Sequence, residues 1–198
     1  MEQIRLVMPD EFEQSLALLE FAFGRTFSAE EREKRRQGIG SASEQTWGYY
    51  VEGKLAAQLT VLGLNTRING RAFGMGGIAF VSTWPEHRRS GMIGKLLVQA
   101  IRSMKERGQS VSFLSPFSFA FYRKYGWEAS IDYVRYSLKS SQLPKPEAPE
   151  GSRMVRITGE EAILNPIYEA YAGADGIVVA VPRIWLEEGK LGLGIRKR

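Results

Sequence analysis

From Phe80 to Gly94 the chain reads Phe-Val-Ser-Thr-Trp-Pro-Glu-His-Arg-Arg-Ser-Gly-Met-Ile-Gly. An apolar strand passes through Trp84-Pro85 into a basic, glycine-containing turn, and a helix opens from that turn. Such a turn can hold phosphate. Arg88 and Arg89 offer charge and forked donors that match phosphate oxygens. Gly91 and Gly94 remove side chains where a backbone must come close to a ligand. Ser90 offers a hydroxyl and a cap for the helix. Met92 and Ile93 supply backbone N–H groups of the first turn, at the positive end of the helix dipole. The turn lacks the Gly-Lys-Ser/Thr ending of a Walker loop, and no Gly-x-Gly-x-x-Gly opens the helix. The expected ligand is the pyrophosphate of a coenzyme.

Composition removes much of the competing chemistry. The chain has 198 residues and no cysteine, so disulfides, thiolate catalysis and cysteine-based metal sites are excluded. With His87 as the single histidine, no metal site is expected. His87 itself reads as a routine loop residue. The net charge of +5 suits an anionic partner. It concentrates at the turn and the helix behind it, and no nucleic-acid recognition motif is present. The N-terminus has no apolar run of signal-peptide length. No stretch approaches the roughly 20 apolar residues of a membrane span. The expected location is cytoplasmic.

The elements that must position this turn follow from periodicity. Residues 3–8 read as a short strand. Asp10 and Glu13 form a capping-box pattern for a helix with Phe12, Leu16, Leu19 and Phe23 on one face. Ser28 and Glu31 start a second, highly charged helix, either a solvated face or a substrate-side lid. Strands are expected at Trp47–Val51, Leu55–Leu62 (extended through Asn65–Ile68) and Arg71–Thr83, with Asn69-Gly70 as a tight turn. Gly74, Gly76 and Gly77 mark a bulge or a close approach. Ile93, Leu96, Leu97, Ala100, Ile101 and Met104 form one helical stripe, and Ser110–Leu114 follows as a strand. Strand, helix, strand makes a crossover, so those two strands should lie parallel. A short aromatic helix from Phe117 to Tyr125 precedes a strand from Trp127 to Leu138. Residues 139–151 are polar and proline-rich, a linker by composition. Residues 152–198 then repeat the opening pattern of strand, cap and helix, as the start of a second, incomplete unit.

The run Arg88-Arg89-Ser90-Gly91-Met92-Ile93-Gly94 after a strand resembles the acetyl-CoA motif of the GCN5-related N-acetyltransferases (GNAT). Phe80–Gly91 and Phe121-Tyr122-Arg123-Lys124-Tyr125-Gly126-Trp127 are similar to the enhanced-intracellular-survival (Eis) branch. The resemblance implies a GNAT fold of α+β class with α/β/α layers: a mixed, mostly antiparallel sheet with a central parallel strand pair flanked by helices. It implies an acetyltransferase domain at 1–138, a linker at 139–151 and a second GNAT-like unit beginning at 152–198. Val81, Ser82 and Thr83 would pair with the pantetheine arm of acetyl-CoA. Arg88, Arg89, Ser90, Gly91, Met92, Ile93 and Gly94 would hold its pyrophosphate. Phe117 and Ser118 would border it, and Tyr122 would be the general acid that reprotonates the leaving thiolate. Tyr125 is the nearest competitor for that role. Direct acetyl transfer to a primary amine is implied, on an aminoglycoside-like small molecule or a lysine. The branch's general base is a C-terminal carboxylate beyond these 198 residues, and its members form homo-oligomers. A non-catalytic acyl-CoA-binding module or an inactive fragment is the alternative expectation.

Overall fold

The computed structural model describes residues 1–130, 137–142, 150–151, 166 and 178–180. In chain order the elements are β1 (Glu2–Leu6), α1 (Phe12–Phe23), α2 (Ala29–Gly38), β2 (Glu44–Val51), β3 (Lys54–Ile68), β4 (Arg71–Thr83), α3 (Met92–Glu106), β5 (Val111–Leu114), α4 (Phe119–Arg123) and β6 (Val178–Ala180). Strand order is β1-β2-β3-β4-β5, with β6 added to β3 opposite Asn65–Arg67. All pairings are antiparallel except β4 with β5, where Met75–Ile78 run alongside Val111–Leu114. This is the fold class that the sequence implies, with the parallel pair at one end of the β1–β5 order.

Helices cover both faces of the sheet, and each face has its own core. Phe12, Leu16, Leu18 and Leu19 of α1 pack with Val7, Phe27, Ile39, Tyr50 and Leu55. On the other face Met92, Leu96, Leu97, Ala100 and Met104 of α3 pack with Tyr49, Ala57, Leu59, Val61, Ile78 and Tyr122. Each large aliphatic side chain taken wholly out of water contributes roughly 1.5–3 kcal/mol. The helical faces are rotated slightly from expectation. Phe23 and Ile101 are exposed, while Ser15 and Ser103 are buried. Both serines bond sheet glutamines: Ser15 Oγ donates to Gln58 Oε1 at 2.6 Å, and Ser103 Oγ to Gln45 Oε1 at 2.6 Å. A hydroxyl with a partner is an acceptable core group.

Several local expectations change. Asp10 and Glu13 form no capping box for α1: a 3₁₀ turn at Pro9–Glu11 precedes the helix, Glu11 accepts from Met8 N at 3.0 Å across that turn, and α1 itself starts after Glu11 with no side-chain cap. Ser28 and Glu31 form the expected reciprocal cap of α2. The glycines of β4 lie in regular strand. A Cβ on Gly76 would sit 2.0 Å from Met104 Sδ, so that glycine admits α3 rather than a ligand. Trp127–Ser130 is irregular, and residues 131–136 of the strand expected there lie outside the described residues. So do the strand and most of the helix expected after the linker.

Glu11 also ties the first strand to the sheet. Arg5 donates to both its oxygens at 2.6 Å, and Tyr50 Oη donates at 2.8 Å. The Arg5 guanidinium lies 3.8 Å from the Tyr50 ring centroid. Hydrogen bonds from Arg5, first, and from Met8 N and Tyr50 outweigh burial and hold the Glu11 carboxyl at about 2. Because the folded value lies below the unfolded one, the resulting stability is complete above pH 4.5 and is lost as pH falls toward about 2. Glu11→Gln should destabilise the fold by roughly 2–3 kcal/mol near neutral pH and flatten its stability profile across that acidic window. Urea denaturation at a series of pH values measures both.

Candidate functional site

The site is set by a change of direction in β4. Gln58 opposes Ser82 and Thr60 opposes Ala79. Phe80 and Val81 therefore face Leu59 alone, which is a β-bulge. Phe80 has φ +54°. For a bulky residue that left-handed conformation costs roughly 1–3 kcal/mol and persists only when its surroundings enforce it. Ser82 Oγ donates to the Phe80 carbonyl at 3.2 Å, and the Phe80 ring packs against the α1 core and beneath Arg35. Pairing with β5 ends at Ile78 and Leu114. Beyond that point no strand among the described residues pairs with β4 on that side, so the backbone from Ala79 to Thr83 borders a split between two parallel strands.

The chain leaves this split through a 3₁₀ turn at Pro85–His87 and reaches the basic turn. The Arg88 and Arg89 side chains are exposed and make no hydrogen bond or ion pair among the described residues, while Arg88 N donates to the Pro85 carbonyl at 3.2 Å. Arg89 and Gly91 both take left-handed conformations, at φ +64° and +81°. Alternating backbone of this kind turns N–H groups into an anion-binding concavity. Gly91 is the N-cap of α3, no side chain caps that end, and no acidic residue lies in its first turn. By contrast α2 begins with Glu30 and Glu31. The first N–H groups of α3, on Met92, Ile93 and Gly94, are thus left for an external acceptor.

Two expected roles within the turn are revised. Ser90 does not cap α3; its Oγ donates to the His87 carbonyl at 2.5 Å and closes the turn internally. Gly94 is small because of its neighbour. A Cβ there would lie 2.4 Å from Tyr125 Oη. The turn that follows α4 therefore rests, through Tyr125, on the first turn of α3.

α4 is short and capped by Ser118 Oγ, which accepts from Phe121 N at 3.3 Å. Tyr122 is 4% exposed. Its ring is met edge-on by Phe117 and Phe121, with centroids at 5.3 and 5.2 Å, and by Trp127 at 6.4 Å. Its hydroxyl makes no hydrogen bond among the described residues. Burial pushes the phenol above its ordinary value of 10.0. Tyr122 therefore keeps its proton at neutral pH, and its hydroxyl has no partner among the described residues. Phe117 is 72% exposed, and Ser118 is half-buried beside it. Contacts run from Gly94 to Tyr125, from Tyr125 to Phe121 at 5.5 Å and on to Tyr122, linking the basic turn to the phenol. The sequence alone gave no sign of the bulge or of this stack, since no glycine marks Phe80 and aromatic runs usually pack. Among the described residues no group of histidine, aspartate and glutamate side chains can hold a metal, and no helix is long and apolar enough to cross a membrane.

The acetyltransferase (GNAT) domain profile matches residues 3–130. An uncharacterized N-acetyltransferase of Streptomyces griseus is 24% identical over 201 residues, covering 92% of this chain and 46% of its own length. This chain thus spans less than half of that relative. Among solved structures, a probable N-acyltransferase from Enterococcus faecalis V583 superposes with TM-score 0.59 at 25% identity, over 64% of this chain and 32% of that one. A predicted acetyltransferase from Clostridium acetobutylicum, solved with acetyl-CoA, gives 0.60 at 14% identity over 69% of this chain and 96% of that one.

The Gly94–Tyr125 contact predicts an energetic coupling. Gly94→Ala should destabilise the fold by about 1–2 kcal/mol, and the loss should shrink when Tyr125→Phe removes the hydroxyl. Denaturation of the two single variants and the double variant gives the coupling.

Proposed function

The chain belongs to the acetyltransferase (GNAT) domain family, whose members use acetyl-CoA, and on that premise we propose that it transfers acetyl from acetyl-CoA directly to a primary amine. The observation that carries the reading is the continuous path from the β4 edge at Ala79–Thr83, which no described strand pairs on the β5 side, to the uncapped, acid-free start of α3. The residues present fit the donor. The backbone of Val81, Ser82 and Thr83 would pair with the amide-rich pantetheine arm. Arg88 and Arg89, with the N–H groups of Gly91 to Gly94, would hold the pyrophosphate, and the Ser90 bond to His87 would keep the turn closed around it. Phe117 and Ser118 would border the arm on the β5 side.

The proposed chemistry needs no covalent enzyme intermediate. The acceptor nitrogen attacks the thioester carbonyl carbon, and the carbon–sulfur bond breaks as the tetrahedral adduct collapses. N–H groups at the bulge stabilise the developing oxyanion. Tyr122 supplies the proton that the departing sulfur takes up, the nitrogen loses its proton to water, and water returns a proton to the phenol. Holding amine and thioester together accounts for a large further part of the rate.

We place the chain in the Eis-type branch on the Phe80–Gly91 and Phe121–Trp127 runs. Residues 1–138 form the catalytic unit, 139–151 a linker and 152–198 the start of a second unit. The proposed acceptor is an amine on an aminoglycoside-like small molecule or a lysine, and the proposed setting is a cytoplasmic homo-oligomer.

Tyr122→Phe should lower kcat about 10²-fold while leaving the KM for acetyl-CoA and thermal stability close to wild type. Because burial raises the phenol's pKa, any loss of wild-type kcat from tyrosine ionisation should begin at higher pH than an exposed tyrosine would show. Arg88→Ala and Arg89→Ala should instead raise that KM with little effect on kcat. Thiol release from acetyl-CoA across an amine panel measures all three. Full turnover by Tyr122→Phe would remove the phenol from the mechanism.

A further inference from the structure

We propose that Arg35 is a positioning residue for acetyl transfer, holding the β4 bulge in shape from the opposite face of the sheet. The proposal rests on the reading of the split as an acyl site. It begins with how α2 is attached. No residue of α2 is buried, so an apolar stripe does not seat this helix. Three arginines do. Arg32 donates to Glu20 at 2.8 Å and to the Phe27 carbonyl at 3.3 Å. Arg36 donates to Glu13 at 2.8 Å and lies 4.4 Å from the Phe12 ring centroid. Both of those contacts lead toward α1.

Arg35 leads to the site. Its guanidinium lies 4.5 Å from the Phe27 ring centroid and 4.0 Å from that of Phe80. A planar cation against two aromatic faces is attractive, more so as water is excluded. The Glu44 carboxylate adds an electrostatic attraction for Arg35 at the same place. Phe80 is the left-handed residue of the bulge. Two restraints therefore converge on it: Ser82 Oγ on its carbonyl and Arg35 on its ring. A strained residue relaxes when its restraints are removed. Relaxation at Phe80 would turn the N–H groups of Phe80 and Val81 away from the split. Those groups act on the oxyanion, so a loosened bulge should reduce turnover more than donor binding, which the turn at Arg88–Gly94 supplies.

The test compares Arg35→Met, which keeps an apolar stem, with Arg35→Lys, which keeps the cation. Acetyl-transfer kinetics are read beside the ¹H–¹⁵N amide signals of the ¹⁵N-labelled full chain. Arg35→Met should lower kcat about tenfold and change the KM for acetyl-CoA by less than about twofold. Arg35→Lys should recover much of the loss. The Phe80 and Val81 amide signals should move in Arg35→Met, while those of Met92 and Ile93 stay in place. Phe27→Leu, which removes one face of the stack, should act in the same direction and serves if Arg35→Met does not fold. Unmoved Phe80 and Val81 signals, unchanged kcat, or a loss confined to KM would overturn the proposal. A wild-type protein without acetyl transfer would refute the acyl-site reading and with it Arg35's role in transfer, while the amide signals would still report whether Arg35 shapes the bulge.

Discussion

One additional residue in β4 sets the direction in which that strand leaves the sheet. Opposite Leu59 the strand carries both Phe80 and Val81, and its pairing with β5 has already ended at Ile78. Two neighbouring parallel strands thereby separate, and backbone that would otherwise face a strand faces a cleft. Every other part of the candidate site is placed relative to that separation. The turn at Arg88–Gly94 continues from one wall, and α4 stands beyond the end of the other. The conformation is costly at Phe80, and the surrounding contacts hold it there: Ser82 on the carbonyl, the α1 core and Arg35 on the ring.

The two faces of the sheet divide the work. On one, α3 buries a broad apolar face, and its N-terminus is brought to the mouth of the split without a cap of its own. Tyr125 against Gly94 then fixes α4 to that same end. Apolar packing there secures the parts proposed to meet the donor. On the other face polar contacts do more of the holding. Glu11 gathers Arg5, Tyr50 and Met8 N, and Gln58 is bonded twice by Ser15. Such buried polar groups cost stability unless fully partnered, and once partnered they specify a single arrangement.

Much of this architecture is legible in the residues. Asn69-Gly70 marks the β3–β4 hairpin, the stripe from Ile93 to Met104 marks α3, and the crossover rule predicts the parallel pair. Arg88–Gly94 reads from its residue types as a phosphate turn, and the start of α3 beside it carries no side-chain cap and no acidic residue. The bulge does not read out, because its left-handed residue is a phenylalanine with no local preference for that conformation. Its cause is tertiary. The role of α2 is hidden for a similar reason. A run of charges looks solvated, and only the positions of Phe12, Phe27 and Phe80 show that its arginines are seated on rings. Phe23 and Ile101 lie on apolar stripes by period yet are exposed, because a helix's buried arc depends on what it packs against as well as on its period.

The central claim is that acetyl-CoA occupies the split between β4 and β5 and ends on α3. Hydrogen–deuterium exchange with and without acetyl-CoA tests it most directly. The account predicts slowed exchange at the amides of residues 79–83 and 91–94, with the β1–β2 pairing unchanged. Slowed exchange elsewhere with these two segments unaffected, or no change at saturating acetyl-CoA, would contradict it.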